Sequence, residues 1–340
     1  MAPRAKRDNQ TEDRALIGWD GIRFTVPGDW NVTGVSADRA NGYLKVDSPQ
    51  TMFLQVKWAD PSAARPRTLA GMVTQMLRAV RKQPEPASDS PDLRPTLEAY
   101  LKETERRARK QRQQFDCKIR PQTSEAGGER VAVHFTWTGG GVGQGKIWRC
   151  TTCRRTVIAQ VVGQGKDPVA DVAASVFSDM RDHPEGGWTV WGLFDLVMAV
   201  PQSFVLRSHK FLSGYIRLEF GDRREGRILA ERWGLASIAR KKFTIREWLG
   251  QMGEAQKHGS EYADVTANGH PAVRATGRVS GLLATLGAVR DSLPSVRPAT
   301  EYEACAWECD ETNKLYVLQT WRPRGASSLM GDLVARCECH

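Results

Sequence analysis

The chain has 340 residues, 40% of them hydrophobic and 26% charged, which is the composition of a soluble folded protein with room for about two domains. Its apolar stretches fall far short of the roughly 20 residues that span a bilayer, so the sequence predicts no membrane segment. The formal net charge of +10 favours a polyanionic partner such as nucleic acid, although a solubilising surface charge is the simpler explanation.

The first 14 residues, MAPRAKRDNQTEDR, are polar and charged. No apolar segment follows their basic residues, so they do not have the form of a secretory signal and are predicted to be a disordered basic tail. The chain has seven cysteines, an odd number that does not fit a framework of disulfides. We therefore predict a cytoplasmic protein whose thiols are free or bound to metal.

The remainder of the chain contains an internal repeat. Four segments of the first half match the second half in order and approximate spacing: FTVPGDW (24–30) with MAVPQSF (198–204), NGYLKVD (41–47) with SGYIRLE (213–219), LQVKW (54–58) with LAERW (229–233), and WRC (148–150) with WEC (307–309). This match pairs Trp58 with Trp233. It predicts two domains, residues 15–183 and 184–340, that arose by duplication of one unit.

Each copy has the pattern of three alternating strands, an amphipathic helix, further strands and a closing helix. The predicted helices are Leu69–Arg81 and Ile245–Gln256 within the copies, and Val169–Arg181 and Ser328–His340 at their ends. The first copy also has an insertion at about 83–115 with a charged helix, and the second an insertion at 282–299. We predict an α+β fold, a tandem duplication of an antiparallel-sheet α/β/α sandwich packed as a pseudo-dimer.

The strand that ends in VPGDW, followed by two paired strands and a helix, resembles the opening of proteins of the Mog1/PsbP-like superfamily. The second copy departs from this pattern, because VPQSF lacks the tryptophan. The resemblance implies an α/β/α sandwich with a binding or assembly role rather than a catalytic one. It transfers no site residue to this chain.

Cysteines supply the candidate metal ligands. Cys150-Thr-Thr-Cys153 has the C-x2-C spacing of a zinc knuckle at a strand tip, and structural zinc sites complete a tetrahedron with further Cys or His ligands. The other candidate ligands lie in the second copy: Cys305, Cys309, Cys337, Cys339 and His340.

Two other interpretations of the cysteines stay open. Cys117, Cys305 and Cys337 are candidates for small buried hydrophobic residues, because cysteine is among the most buried residue types. The C-x2-C motif also has arginines on both sides, and a lowered thiol pKa there would suit redox chemistry.

Basic residues crowd the C-terminal half of the inserted helix and follow the C-x2-C motif. The candidate polyanion contacts are Arg106, Arg107, Arg109, Lys110, Arg112, Arg154 and Arg155. If they form one surface they can bind phosphates, with a steep dependence on salt. The alternative is a solvated amphipathic helix that caps the first domain.

The motifs of familiar catalytic sites are missing. The stretch GGGVGQGKI at 139–147 has a P-loop-like spacing, but Ile147 replaces the Ser or Thr that binds magnesium, and strands on both sides predict a hairpin. Neither HExxH nor G-x-S-x-G occurs. We predict a non-enzymatic binding or assembly module with an unidentified protein or polyanionic partner. The alternatives are a nucleic-acid-associated basic protein and a zinc-binding protein that uses the C-terminal cysteines.

Overall fold

The computed structural model describes residues 14–38, 40–60, 92–125, 127–252, 255–279 and 300–339. The chain divides into two compact units, residues 1–183 and 184–340. The predicted tail before Arg14, the predicted helix Leu69–Arg81 and the insertion at 282–299 lie outside the described residues.

The first unit is built mainly of antiparallel strands. They are β1 (Arg14–Trp19), β2 (Ile22–Pro27), β3 (Asn31–Ala37), β4 (Asn41–Asp47), β5 (Phe53–Ala59), β6 (Asp116–Ile119), β7 (Thr123–Ser124), β8 (Arg130–Thr138), β9 (Val142–Cys150) and β10 (Thr156–Gly163). Two helices accompany them, α1 (Arg94–Lys110) and α2 (Val169–Asp179). β1 and β2 form a hairpin, and the main sheet has the order β3-β4-β5-β10-β9-β8-β6, with β7 also on β8.

The second unit has the same kind of composition. Its strands are β11 (Trp188–Leu193), β12 (Leu196–Pro201), β13 (Val205–Leu212), β14 (Tyr215–Gly221), β15 (Arg227–Gly234), β16 (Glu261–Ala267), β17 (His270–Val279), β18 (Thr300–Cys309), β19 (Lys314–Pro323) and β20 (Cys337–Glu338). Its helices are α3 (Ala236–Ala239), α4 (Ile245–Met252), a 3-10 turn (Ala255–His258) and α5 (Met330–Ala335). The main sheet has the order β13-β14-β15-β19-β18-β17-β16.

The two main sheets have the same strand order when β3 is matched to β13, β10 to β19 and β6 to β16, so the chain contains repeated sheet units. The hydrogen-bonded register refines the sequence match. Trp58 lies opposite Val157, which lies opposite Trp148. In the second unit Arg232 lies opposite Tyr316, which lies opposite Trp307.

The register therefore matches Trp58 with Arg232, and the predicted match of Trp58 with Trp233 is wrong by one residue. A slip of one residue moves a side chain to the opposite face of a sheet. Trp58 is buried, whereas Trp233 is half-buried on the other face of its sheet, where its ring meets Trp248 edge to face. The two tryptophans have no common structural role.

The predicted α+β class, with its α/β/α sandwich, is wrong. Strands hold 52% of the described residues and helices only 18%, so the fold is mostly β. The predicted helix Ser328–His340 is helical only over Met330–Ala335. Residues after it extend and pair with β12, because Cys337 and Cys339 are buried while Glu338 between them is exposed, which is the period-two pattern of a strand.

One helix covers the same face of each main sheet. In the first unit the inserted helix α1 buries Leu97 and Leu101 against Phe135 and Ile147. In the second unit α4 covers this face with Trp248 and Leu249, which pack against Ala304 and Ala306 among others. The inserted helix is thus a structural part of the first unit's core.

The glycine-rich stretch forms a β-hairpin, as predicted, with residues 139–141 between β8 and β9. Gly143 and Gly145 lie directly opposite Trp137 and Phe135 on the neighbouring strand. A Cβ atom at either glycine would come within 2.2 Å of the facing aromatic ring. Gly143 and Gly145 therefore make room for two core rings, and Gly140, the other glycine of the P-loop-like spacing, has a positive φ of 76° in the hairpin turn.

Candidate metal centre

The C-x2-C motif forms a tight turn at the tip of the β9–β10 hairpin. Cys150 is the last residue of β9, and the Cys153 amide donates a hydrogen bond to Cys150 Sγ over 3.4 Å. Arg154 has a positive φ of 59°, and its amide donates to the Cys150 carbonyl over 3.1 Å. The turn thereby holds both sulfurs on one side, with a backbone donor directed at one of them.

Two further donors come from the segment that follows α2. The backbone of Arg181 pairs with Arg23 of β2 through hydrogen bonds of 2.8 and 2.9 Å, which fixes the direction of the next residues. His183 Nδ1 lies 3.5 Å from Cys150 Sγ and 3.1 Å from Asp182 Oδ1. The ligand atoms of Cys150, Cys153, Asp182 and His183 all lie within 4.8 Å of one another.

Asp182 is fully buried and its carboxylate has two strong partners. Trp148 Nε1 donates to Oδ2 over 2.7 Å, and Arg130 Nη2 donates to Oδ1 over 3.1 Å. Burial by itself raises the pKa of this carboxyl, but the Arg130 charge and the two hydrogen bonds outweigh it and lower the pKa below its usual value. The group is therefore a carboxylate at neutral pH.

The redox interpretation of the motif requires a lowered thiol pKa, and the pKa of the Cys153 thiol is shifted in the opposite direction. Burial raises the pKa of the Cys153 thiol to about 12, so the neighbouring arginines do not make it acidic. Arg155 is directed elsewhere, because its guanidinium pairs with Asp20 at 3.5 Å and Asp60 at 3.4 Å.

The second unit brings together His270, Cys309 and Cys339, whose ligand atoms also lie within 4.8 Å of one another. Cys309 ends β18, His270 begins the neighbouring β17, and Cys339 follows β20. Cys309 and Cys339 are buried, and the Cys309 thiol lies 3.6 Å from the Cys339 carbonyl oxygen. These three residues and the four of the first unit are the groups with metal-ligand geometry among the described residues.

The other predicted ligands lie apart from these groups. Cys305 and Cys337 are buried, and burial raises the pKa of the Cys305 thiol to about 11. Both are thus small buried residues, as their alternative interpretation predicts, whereas Cys117 is exposed and does not fit it. His340 lies outside the described residues.

The basic residues of the inserted helix lie on its exposed side. Arg106 and Arg107 pair with Glu103, and Arg109 pairs with Glu105. Lys110, Arg112 and Arg154 are also exposed, but the Arg155 side chain is only 16% exposed. Arg155 is therefore part of the interior ion pairs of its unit and is not available to a continuous basic surface.

Sequence reasoning missed four residues near the two groups: Arg130, Asp182, His183 and His270. A usable signal existed for one of them. His183 comes just after the predicted closing helix of the first half, and His340 ends the predicted closing helix of the second half. The first half also contains Cys150 of the WRC segment, and the second half contains Cys309 of the WEC segment.

No protein-family model matches the chain, and no curated protein matches it significantly. The resemblance to the Mog1/PsbP-like superfamily therefore stays a prediction. Within the described residues, no helix is both long and apolar enough to cross a membrane.

Proposed function

We propose that the protein is a non-enzymatic zinc-binding protein whose first unit holds Zn²⁺ through Cys150, Cys153 and His183, with Asp182 as the fourth ligand. The observation that carries this proposal is the 3.5 Å separation of Cys150 Sγ and His183 Nδ1 within a group of four donors. Zn–S bonds of about 2.3 Å and Zn–N bonds of about 2.0 Å give a tetrahedral S···N edge of about 3.5 Å.

The surroundings of the site support a structural metal. Four protein ligands leave no position for a substrate, which is the arrangement of structural zinc sites. The hydrogen bond from the Cys153 amide to Cys150 Sγ stabilises a thiolate there. The ion would join the β9–β10 turn to the segment after α2, two parts of the chain that are far apart in sequence.

The same geometry argues against a cysteine hydrolase. A catalytic Cys-His-Asp arrangement uses the two imidazole nitrogens separately, one toward the nucleophile and one toward the carboxylate. Here Nδ1 of His183 faces both Cys150 Sγ and Asp182 Oδ1.

The state of the cysteines bears on the location of the protein. All seven cysteines are free, which supports the reducing cytoplasm as that location.

The test is the metal content of the untagged full-length protein, measured by inductively coupled plasma mass spectrometry. A Cys150→Ser/Cys153→Ser variant should lose one equivalent of zinc. Cys117→Ser, which replaces an exposed cysteine outside both groups, should keep the full content. If the double variant binds as much zinc as the wild type, the proposal is wrong.

A further inference from the structure

The second group of ligands occupies the same position in its unit as the first. Trp148 lies opposite Ala132, and Trp307 lies opposite Ala272. Cys150 and Cys309 are the second residues after these tryptophans in their strands, so they correspond to each other. Counting two residues back from Ala132 and Ala272 matches Arg130 with His270 in the same way.

The ends of the two units extend this correspondence. Arg181 pairs with Arg23 after α2, and Glu338 pairs with Val197 after α5. Arg23 and Val197 are each the second residue of the equivalent strands β2 and β12. The residues that follow are Asp182 and Cys339, which therefore occupy one position of the repeat.

The turns after Cys150 and Cys309 also correspond. Arg154 and Asn313, each four residues after the cysteine, both have a positive φ, of 59° and 51°. The position of Cys153 is taken by Thr312 in the second unit. The second turn therefore keeps the positive φ at this place but lacks the thiol of Cys153, and Cys339 supplies the second thiol of its group.

We infer that the second unit holds a second Zn²⁺ ion at this position, through His270, Cys309 and Cys339. Two thiolates and an imidazole are ligands that zinc prefers, and hard cations such as Mg²⁺ avoid them. The described residues supply three ligands, which leaves a fourth position for a water molecule. The inference extends the proposed function to a second site, but its evidence is separate, because none of its ligands belongs to the first site.

The experiment counts bound Zn²⁺ in the full-length protein and then replaces it by Co²⁺, whose thiolate charge-transfer absorption reports sulfur ligands. The variants are Cys150→Ser/Cys153→Ser for the first site and Cys309→Ser/Cys339→Ser for the second. Because Cys309 is fully buried, His270→Gln at a half-buried position is the milder second variant. Cys117→Ser is the control, and circular dichroism checks that each variant is folded.

We expect two equivalents of zinc in the wild type and one in either double variant. In the cobalt-substituted protein, each double variant should have about half of the thiolate absorption of the wild type. His270→Gln should weaken zinc binding at one site by about 10-fold or more while the protein stays folded. One equivalent that depends only on Cys150 and Cys153 would overturn this inference and leave the proposed function intact. One equivalent that depends only on Cys309 and Cys339 would support the second site and overturn the proposed function. A folded protein without metal would overturn both the proposed function and the second site.

Discussion

The two candidate centres occupy the same position of the repeated sheet units, yet their side chains differ at three of four matched places. The first unit pairs Arg130 with the buried Asp182, whereas the second unit has His270 facing Cys339 at those places. The cysteine that ends the central strand is common to both. The difference shows that the same position of the repeat can hold a buried ion pair in one unit and a thiol beside an imidazole in the other.

Substitutions at the two centres should differ in how much they lower the stability of the protein. A buried ion pair contributes little net free energy of folding, but removing one partner leaves an uncompensated charge in the interior. His270 and Cys339 take these places in the second unit, so removing Cys339 does not leave a buried guanidinium without its carboxylate. The comparison between the units therefore predicts unequal costs for matched substitutions.

The largest effect is expected for Asp182→Ala. Arg130, whose side chain is only 9% exposed, would lose its buried partner, so the free energy of unfolding should fall by about 3–5 kcal/mol. The measurement is urea denaturation followed by tryptophan fluorescence, in the presence of a chelator so that metal loss does not contribute.

The matched variant Cys339→Ala should cost only about 1 kcal/mol under the same conditions, because it removes one buried sulfur and no charge partner. Asp332→Ala, which breaks an exposed pair with Arg336, is the surface control. Equal costs for Asp182→Ala and Cys339→Ala would show that the ion pair is not what separates the two centres.

The next effect concerns the facing residues of β8 and β9. Gly145 lies opposite Phe135, and the matched pair in the second unit is Ala304 opposite Ala275. Gly145→Ala should lower the free energy of unfolding by about 1–3 kcal/mol, since the new Cβ would lie 2.2 Å from the Phe135 ring. Thermal unfolding measures the change.

Two variants test whether the ring is the cause. Phe135→Ala combined with Gly145→Ala reproduces the alanine pair of the second unit, so the cost of the double variant should be less than the sum of the single costs. Gly331→Ala places a methyl group where no atom lies within 4 Å and should not destabilise the protein. Additive costs in the double variant would argue against a steric clash.

A smaller, pH-dependent effect is expected at His134. Burial, and next the charge of the facing Lys146, lower the pKa of this histidine below its ordinary value of 6.5. The folded state then binds the proton less readily than the unfolded chain does. The stability that His134 contributes is therefore present above pH 6.5 and is lost as the pH falls through the lowered pKa.

His134→Gln should consequently lose less stability than the wild type when the pH is lowered from about 7.5 to about 5. Urea midpoints at the two pH values measure this difference. The control is Lys118→Gln, at an exposed position of β6, which should not change the slope between the two pH values. A steeper acid loss in His134→Gln would contradict the assigned direction of the pKa.

The smallest effects are expected at exposed ion pairs, in either unit. Arg109→Ala breaks the pair with Glu105, and Asp332→Ala breaks the pair with Arg336; the residues of each pair are one helical turn apart. Each variant should change the free energy of unfolding by less than about 0.5 kcal/mol. A loss above 1 kcal/mol in one unit alone would mean that surface charge, and not the buried centre, distinguishes the two units.

Short patterns in the sequence predict several local features of this structure. The matching segments VPGDW and VPQSF indicate the hairpins at the start of the two units. The alternation in NGYLKVD indicates β4, because successive side chains of a strand point to opposite faces of the sheet. The spacing of Cys150 and Cys153 marks a turn whose geometry depends on only a few residues. The glycines of GGGVGQGKI likewise mark a hairpin.

Other features depended on contacts between distant segments. The match of Trp58 with Arg232, and not with Trp233, follows from hydrogen bonds between strands that are far apart in the chain, and similar letters in two segments do not reveal them. The α+β prediction failed for a related reason. The segment Cys337–Glu338 becomes a strand because β12 offers it a pairing edge.

The sequence by itself therefore determined the presence of a repeat and the thiol turn, since each can be recognised from short stretches of residues. Only the tertiary structure decided which residues meet Cys150 and Cys309. Asp182 and His183 reach Cys150 because the chain after α2 pairs with β2, and His270 reaches Cys309 because β17 lies beside β18. Strand register and pairing are set by burial and hydrogen bonding across the whole sheet, and no short stretch of sequence contains that information.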